Sequence, residues 1–301
     1  MRKKVIIING CDANFYPFMD EAQRSLMALG LDSKADFGAF DLGLTEAQRQ
    51  AQSERGCRVV TPGWTIDVPQ HLRKGHEVGL VARTALRDYF PGYDTYIWFD
   101  ADAWAQTREF FTLMLDGVAA NGAALIREDG PGYRMNMMYR RWWYGHMMAA
   151  FGPVNGLKVS LRPVINIGIV ALGASSPIWE AWIRDYEHMV EKRQRVNLDQ
   201  HAFNSAVVQN NLSASYLPAR CNWICTLSPP RWDPEKTMFC EPGGEGKPLS
   251  VLHLAGPNKR RPYKLATTIG NTITTALDFP AALGFVPAAR GLASEPDRKA
   301  R

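Results

Sequence analysis

Two aspartates separated by a single residue are the first groups in this sequence whose spacing suggests chemistry. Asp100 and Asp102 directly follow residues 96–99, an apolar run that is typical of a buried strand. Carboxylates at the carboxyl end of a parallel strand lie where open α/β sheets bind their ligands. Oxygen ligands suit Mg²⁺ or Mn²⁺. The spacing therefore indicates a divalent metal that holds a phosphate, with solvated acidic residues or a helix cap as the simpler alternative.

A second group of this kind lies far along the chain. His253 ends another apolar run, residues 249–254, and is followed by Gly256 and Lys259. As a strand-end imidazole, His253 would lie beside the aspartates as a nitrogen ligand. Gly256 would allow close backbone approach, and Lys259 would offer its charge to a phosphate. We expect these groups to converge on one diphosphate, although a lone histidine is more often a satisfied core or surface residue.

The elements that must position these groups alternate along the chain. β-branched and apolar runs predict strands, and 3.6-residue periodicity predicts helices. The predicted strands are residues 3–9, 57–61, 95–99, 123–127, 164–172, 213–217 and 249–254. The predicted helices are residues 17–29, 77–89, 109–120, 178–191 and 198–208. This order predicts an α/β fold with a mostly parallel central sheet flanked by helices.

Composition limits the class of protein and the domain organisation. The 301 residues are 46% hydrophobic and carry a net charge of +5, which excludes extensive disorder and does not call for nucleic acid. We expect one domain over residues 1–264. Residues 265–301, rich in Thr, Ala, Gly and Pro, are expected to form a C-terminal extension that is weakly packed or partly disordered.

Cysteine usage and apolar runs predict the compartment. Five cysteines are an odd number, which fits a reducing environment, and Cys221, Cys225 and Cys240 lack a fourth zinc ligand at a suitable spacing. We therefore expect core thiols. No apolar run approaches the roughly 20 residues of a membrane-spanning helix, and residues 5–8 are too short for a signal peptide. We predict a cytoplasmic protein.

Five segments in order resemble the motifs of glycosyltransferase family 8. These retaining transferases of the GT-A fold include glycogenin and bacterial lipopolysaccharide galactosyl- and glucosyltransferases. The resemblance spans roughly residues 5–263. In chain order, the family's DxD, FNSG or FNAG, DQxxLN, LPxxFN and HxxGxxK motifs resemble residues 100–102, 165–168, 198–204, 217–223 and 253–259. Cys221 stands where the fourth motif usually has Phe.

The resemblance implies a Rossmann-like GT-A domain that transfers a hexose from a UDP-sugar with Mn²⁺ or Mg²⁺ as the cofactor. It implies that Asp100, Asp102 and His253 are the metal ligands. It places Asn166 on the donor sugar, and Asp199 and Gln200 beneath the anomeric carbon.

The resemblance also implies a set of donor-binding residues. The loop after the first strand resembles the family's nucleotide loop, so that Asp12 meets the uracil with Gly10 and Asn14 nearby. Arg83 lies where the family has a basic residue that reaches the donor, and Gly256 and Lys259 belong to the phosphate-binding motif. Residues 31–75 carry no family signature.

Several mechanisms and functions are compatible with these residues. A divalent ion would act as Lewis acid on the leaving diphosphate, and retention would proceed through a covalent intermediate or by front-face attack. Asp199 would alternatively cap the helix that follows it. A nucleotidyltransferase shares the layout, but its glycine-rich basic loop is absent after the first strand. A non-catalytic sugar-nucleotide-binding relative is the other alternative.

One aromatic and basic cluster lies outside the five motifs and is not explained by them. Residues 139–144 place aromatic rings beside Arg140 and Arg141, which suits sugar stacking or a membrane interface, although such a stripe is more often core. We expect a partly buried helix that flanks the acceptor cleft. The basic C-terminal residues 298–301 are expected to be a solvated tail, with weak contact at the inner membrane face as the alternative.

Overall fold

A computed structural model describes residues 4–129, 132–133, 137–243, 245–256 and 259–279. The strands in these residues are β1 (Val5–Cys11), β2 (Asp36–Asp41), β3 (Arg58–Val60), β4 (Thr95–Phe99), β5 (Ala103–Ala105), β6 (Ala123–Arg127), β7 (Ile165–Gly173), β8 (Ser215–Leu217), β9 (Trp223–Ile224), β10 (Arg231–Asp233), β11 (Met238–Cys240), β12 (Val251–His253), β13 (Tyr263–Ala266) and β14 (Thr272–Thr275). The α-helices are α1 (Tyr16–Ala28), α2 (Glu46–Glu54), α3 (Val78–Ala82), α4 (Leu86–Tyr89), α5 (Glu109–Asn121), α6 (Met137–Ser160), α7 (Ile178–Arg193) and α8 (Asp199–Gln209). Among the described residues, no helix has the length and apolar character needed to span a membrane.

The central sheet has seven strands in the order β3-β2-β1-β4-β7-β6-β8. The first four strands are parallel, β7 is antiparallel to both of its neighbours, and β8 is parallel to β6. The predicted α/β class with a mostly parallel sheet is thus confirmed.

Helices cover both faces of this sheet. Because side chains alternate along a strand, Ile6 of β1 faces the core beneath α7 and α8, whereas Ile7 faces the core beneath α1 and α5. Trp179 and Phe203 fill the first core, and Phe110 lies in the second. Burial on both faces explains why β1 and β4 are continuous apolar runs without polar alternation.

The ends of three strands meet at one edge of the sheet. Asn9 of β1 donates a hydrogen bond to the Phe99 carbonyl at 2.6 Å, which joins the carboxyl ends of β1 and β4. Because β7 is antiparallel to β4, its first residues lie beside the last residues of β4. The Asp100 amide donates to the Gly168 carbonyl at 2.7 Å. Residues 9–11, 99–102 and 165–168 therefore form one edge.

A small three-stranded sheet, β5-β12-β9, carries the C-terminal histidine to the same edge. β12 runs antiparallel to β5 and pairs His253 with Ala103. The Leu254 amide donates to the Asp102 carbonyl at 2.8 Å. This pairing fixes the position of His253 relative to Asp102.

Helix α6 is two helical segments that meet at Gly152. The φ of +77° at Gly152 is unfavourable for other residues, and Pro153 begins the second segment. A Cβ on Gly156 would lie 2.8 Å from the Met147 carbonyl oxygen, so the second segment packs closely against the first. Trp143 is buried in this packing.

The structure differs from the sequence predictions in three regions. The predicted helix 77–89 is broken by a 3₁₀ turn at Arg83–Ala85, and β2 and α2 lie within residues 31–75, where no element was predicted apart from the strand at 57–61. The predicted boundary at residue 264 lies inside β13, and Leu277 and Phe279 beyond it are buried beside Trp104. Residues 265–279 are thus packed, whereas residues 280–301 lie outside the described part of the chain.

Candidate metal and sugar-nucleotide site

Asp100, Asp102 and His253 converge at the sheet edge. Their ligand atoms all lie within 4.8 Å of one another. The His253 Nε2 is 3.4 Å from Asp102 Oδ1 and 3.7 Å from Asp100 Oδ2. His253 Nδ1 lies 2.9 Å from Asn222 Oδ1. Because an amide oxygen accepts hydrogen bonds, this contact favours a proton on Nδ1 and leaves Nε2 as the nitrogen that faces the carboxylates.

This geometry fits a divalent cation. Two ligand atoms about 2.1 Å from one ion are separated by roughly 3 to 4 Å, as the His253 and carboxylate atoms are. Two carboxylate oxygens and one imidazole nitrogen suit Mn²⁺ or Mg²⁺ better than a thiolate-binding metal. All five cysteines are buried and free, as predicted.

The pKa values of the two aspartates in the cluster are shifted in opposite directions. Burial raises the pKa of Asp100 despite Arg83 and His253. Burial also opposes ionisation of Asp102, but His253 and Lys259 outweigh it and hold the pKa of Asp102 well below its ordinary value. Lys259 Nζ donates to Asp102 Oδ2 at 2.5 Å and to the Leu254 carbonyl at 3.2 Å.

Arg83 is buried and bridges two acidic residues. It forms an ion pair with Asp199 and lies 3.5 Å from Asp100 Oδ1. Its guanidinium lies 5.2 Å from the centre of the Trp98 ring, whose Nε1 donates to Asp100 Oδ1 at 2.6 Å. The helix-cap alternative for Asp199 is wrong, because the N-cap of α8 is Leu198 and no side chain caps this helix.

Asn166 and Gln200 are joined by Glu128, a residue that the sequence analysis did not select. Glu128 Oε1 accepts from Asn166 Nδ2 at 2.9 Å and from Gln200 Nε2 at 3.3 Å. Gln200 also donates to the Tyr139 hydroxyl at 3.3 Å. Burial raises the pKa of Glu128 although these amides oppose it.

Asn222 is the second residue missed by the sequence analysis. It orients His253 and also donates to Asn166 Oδ1 at 2.8 Å. Glu128 directly follows β6 as Asp100 follows β4, so the same strand-end signal would have found it. Asn222 lies in the segment that resembles LPxxFN and carried no chemical assignment.

Gly168 lies against the cluster. A Cβ at this position would be 2.4 Å from His253 Cε1 and 2.7 Å from Asp100 Oδ2. Atoms in contact are normally about 3.5–4 Å apart. The side chains of Asp100 and His253 therefore occupy the space that any side chain at residue 168 would need.

The loop after β1 connects to the cluster through Lys259. Asp12 accepts a hydrogen bond from the Phe15 amide at 2.9 Å, and the Phe15 ring centre is 5.4 Å from Lys259 Nζ. Just before this loop, a Cβ on Gly10 of β1 would lie 2.9 Å from Phe40 Cβ, so β1 and β2 are in close contact there. The side chain of Asn14 is exposed.

The Gln200–Glu128 hydrogen bond joins residues that line two different cavities. A cleft of about 220 Å³ is lined by the metal cluster together with Arg83, Asn166, Asp199, Gln200 and Gly256. The φ of Gly256 is +95°, a value that favours glycine. A neighbouring cavity of about 290 Å³ is lined by Glu128, Tyr139, Trp143 and Tyr144 among others.

Comparisons with known proteins support the fold. No protein-family model and no curated protein matches the chain. An active-site mutant of the galactosyltransferase LgtC aligns with a TM-score of 0.50 and 16% identity over 84% of this chain and 88% of that chain. The apo structure of the bifunctional glycosyltransferase WbbM aligns with a TM-score of 0.55 and 12% identity over 86% of this chain and 47% of that chain.

A third structure, apo xyloside xylosyltransferase 1 from mouse, aligns with a TM-score of 0.50 and 13% identity over 86% of this chain and 98% of that chain. The chain thus has the fold of GT-A glycosyltransferases, with a large, mostly parallel central sheet flanked by helices.

Proposed function

We propose that this protein is a retaining glycosyltransferase that transfers a hexose from a UDP-sugar to a hydroxyl acceptor, with Mn²⁺ or Mg²⁺ as the cofactor. The observation that carries the proposal is the convergence of Asp100, Asp102 and His253 at the ligand-binding edge of a GT-A fold. The resemblance to family 8 motifs agrees with it, because all five motifs lie in family order in the sequence.

Asp100, Asp102 and His253 would hold the cation, and Asn222 keeps the His253 nitrogen available. A bound divalent ion supplies a Lewis acid that offsets charge on a leaving diphosphate. Lys259 lies next to the same carboxylates, where its ammonium would bind a phosphate oxygen. The backbone at Gly256 lines the cleft and would approach the diphosphate closely.

The donor would extend from the loop after β1 to the start of α8. In this proposal Asp12 contacts the uracil, with Gly10 and Asn14 beside it. The connection from Phe15 to Lys259 supports this placement, because it sets the loop next to the proposed phosphate site.

The sugar would lie above Asn166 and Gln200. Both amides are held by Glu128, so their orientations are fixed before the sugar binds. Gln200 would lie beneath the anomeric carbon, while Asp199 and Arg83 neutralise each other at the base of the cleft and set its local charge. Preorganised dipoles of this kind stabilise charge that develops during transfer.

The acceptor would occupy the neighbouring cavity. Tyr139, Trp143 and Tyr144 offer aromatic surface of the kind that packs against sugars, and Glu128 lies at the junction with the donor cleft. We assign the enzyme to the cytoplasm, since its five buried, free thiols suit a reducing compartment.

The test is hydrolysis of a panel of UDP-sugars without acceptor, with Mn²⁺ or with chelator. A transferase releases UDP slowly and only with the metal, and the preferred UDP-sugar raises the melting temperature because it binds the native state. Metal-dependent binding without hydrolysis would instead indicate a non-catalytic relative. Formation of a UDP-sugar from UTP and a sugar phosphate would indicate a nucleotidyltransferase.

A further inference from the structure

Exposed hydrophobic side chains are concentrated on one segment of the chain. Among the described residues, six of the eight large hydrophobic side chains that are exposed belong to α6 or to the residue after it. They are Met137, Met138, Trp142, Val154, Leu157 and Leu161, with exposed fractions between 39% and 82%. We call these six residues and the cations between them the α6 surface. Scattered single hydrophobic residues need no explanation, but a contiguous group marks an interaction site.

The two segments of α6 bring this group together in space. The contact at Gly156 packs the second segment against the first. Arg140 and Tyr144 of the first segment line one cavity together with Leu161 and Arg162, which follow the second segment. The exposed apolar residues thus lie on two packed helical segments, and one of them, Leu161, reaches the cavity beside Arg140.

The charged residues within α6 and in the chain just beyond it are basic. From Gly130 to Trp179 the sequence contains no Asp or Glu. Among the described residues of this stretch, the exposed cations are Arg140, Arg141, Lys158 and Arg162. The adjacent acidic residues are Asp129, which is exposed at the cavity, and Glu128, which is hydrogen-bonded to amides.

Arg127 and Tyr216, next to the α6 surface, add one further cation and one further aromatic ring to this region. Lys158 and Arg162 border a second cavity with Arg127 and Tyr216. The Arg127 guanidinium lies 3.6 Å from the centre of the Tyr216 ring, and Tyr216 is itself exposed.

We propose that the α6 surface docks on an anionic lipid membrane. The charged residues interspersed with the exposed Met, Leu and Trp side chains of this surface are cations. That mixture matches a lipid interface, where apolar side chains enter the acyl boundary and cations meet lipid phosphates. Trp142 is of the residue type that concentrates at the headgroup level.

This docking would place the mouth of the proposed acceptor cavity, which Glu128, Tyr139 and Trp143 line, at the membrane. Arg140 and Leu161 belong both to the α6 surface and to the cavity lining. If the proposed function holds, on which this step rests, the acceptor is a hydroxyl group carried by a lipid. The transfer site would then receive its acceptor from the bilayer, while the UDP-sugar arrives from solution.

Vesicle co-sedimentation of the full chain tests the docking. We expect binding to vesicles of phosphatidylcholine with phosphatidylglycerol, weaker binding to phosphatidylcholine alone, and partial release by salt. The double variant Arg141→Glu/Lys158→Glu should lower the partition coefficient at least tenfold, since each cation near an anionic surface contributes about a fivefold change. The matched control Lys34→Glu/Lys264→Glu changes net charge equally at exposed sites outside the α6 surface and should retain most of the binding.

A second double variant measures the contribution of the apolar side chains to vesicle binding. Met138→Ser/Leu157→Ser should remove the binding that persists in high salt. UDP-sugar hydrolysis without acceptor should stay unchanged in all these variants, which also reports their folding, so a failure of docking is distinguishable from a failure of the proposed function. Absence of vesicle binding, or an equal loss in the control pair, would overturn the proposal. So would a dimer that Met138→Ser/Leu157→Ser dissociates, because the surface would then bind a second copy.

Discussion

Replacement of Gly168 by alanine tests the central geometry without removing any functional group. The added methyl would lie 2.4 Å from His253 Cε1, 2.7 Å from Asp100 Oδ2 and 2.9 Å from Asn166 Oδ1. Since carbon atoms in contact are about 3.5–4 Å apart, the imidazole must move by roughly 1 Å. His253 has little freedom to move, because it is buried, paired through β12 and hydrogen-bonded to Asn222.

We expect this displacement to weaken both the metal site and turnover. A misplacement of about 1 Å costs on the order of a hundredfold in rate, and disturbed orientation of a metal ligand costs about ten- to a hundredfold in affinity. Gly168→Ala should therefore lower Mn²⁺ affinity at least about tenfold and Mn²⁺-dependent hydrolysis of the UDP-sugar about a hundredfold.

The assay combines Mn²⁺ titration by calorimetry, initial rates of UDP release and thermal melting. Gly145→Ala is the matched control, because nothing lies within 4 Å of a Cβ at this helical position. It should leave the rate unchanged and stabilise the fold by about 0.5–1 kcal/mol. A Gly168→Ala protein with normal Mn²⁺ affinity and normal turnover would refute the assignment of Asp100 and His253 to one metal site.

Four further substitutions examine single roles. Asp102→Ala should abolish turnover and Mn²⁺-dependent UDP binding in a folded protein, as measured by calorimetry and circular dichroism; retained activity would contradict its role as a ligand. Asp199→Asn should lower the free energy of unfolding in urea by about 3 kcal/mol, because a buried Arg83 loses an anionic partner, and unchanged stability would show that this ion pair contributes nothing. Gln200→Ala should reduce turnover about ten- to a thousandfold with little change in UDP-sugar affinity, and the reasoning fails if only affinity changes. Glu128→Gln should be more stable than the parent at neutral pH. Burial raises the pKa of Glu128, so the parent is fully stabilised below the ordinary value of about 4.3 and loses that contribution as pH rises through the raised pKa. Melting curves from acid to neutral pH should show a difference in melting temperature between Glu128→Gln and the parent that disappears at low pH. A difference that stays constant with pH would contradict this account.

Local sequence patterns predicted the strands that are buried on both faces. β4 and β6 have the predicted bounds because their residues are consecutive, apolar and flanked by turn signals. The position of Asp100 and Asp102 at the ligand-binding edge was predictable, since polar residues after buried parallel strands lie there. The route by which His253 reaches them, through the separate β5-β12-β9 sheet, was not.

Other features depend on contacts that no local pattern encodes. β2, residues Asp36–Asp41, contains Gly and Ala in place of β-branched residues, and its burial comes from pairing with β1. The antiparallel direction of β7 follows from the connection through α6, which periodicity does not reveal. The partnership of Glu128 with Asn166 and Gln200 joins residues far apart in sequence, so only the folded chain shows it.

The connection between β6 and β7 leaves the sheet and returns at the same place. The Glu128 amide donates to the Val164 carbonyl at 2.8 Å, and Arg127 pairs with Ile165. Residues 129–163, including all of α6, therefore form a long connection whose two ends are held together by the sheet. Such a segment can change in length at little cost in loop-closure entropy, provided that its replacement covers the same helices and supplies a partner for Gln200 where Tyr139 now stands. Exchanging residues 129–163 for another segment would alter what the cavity accepts and leave the carboxylates and the imidazole in register.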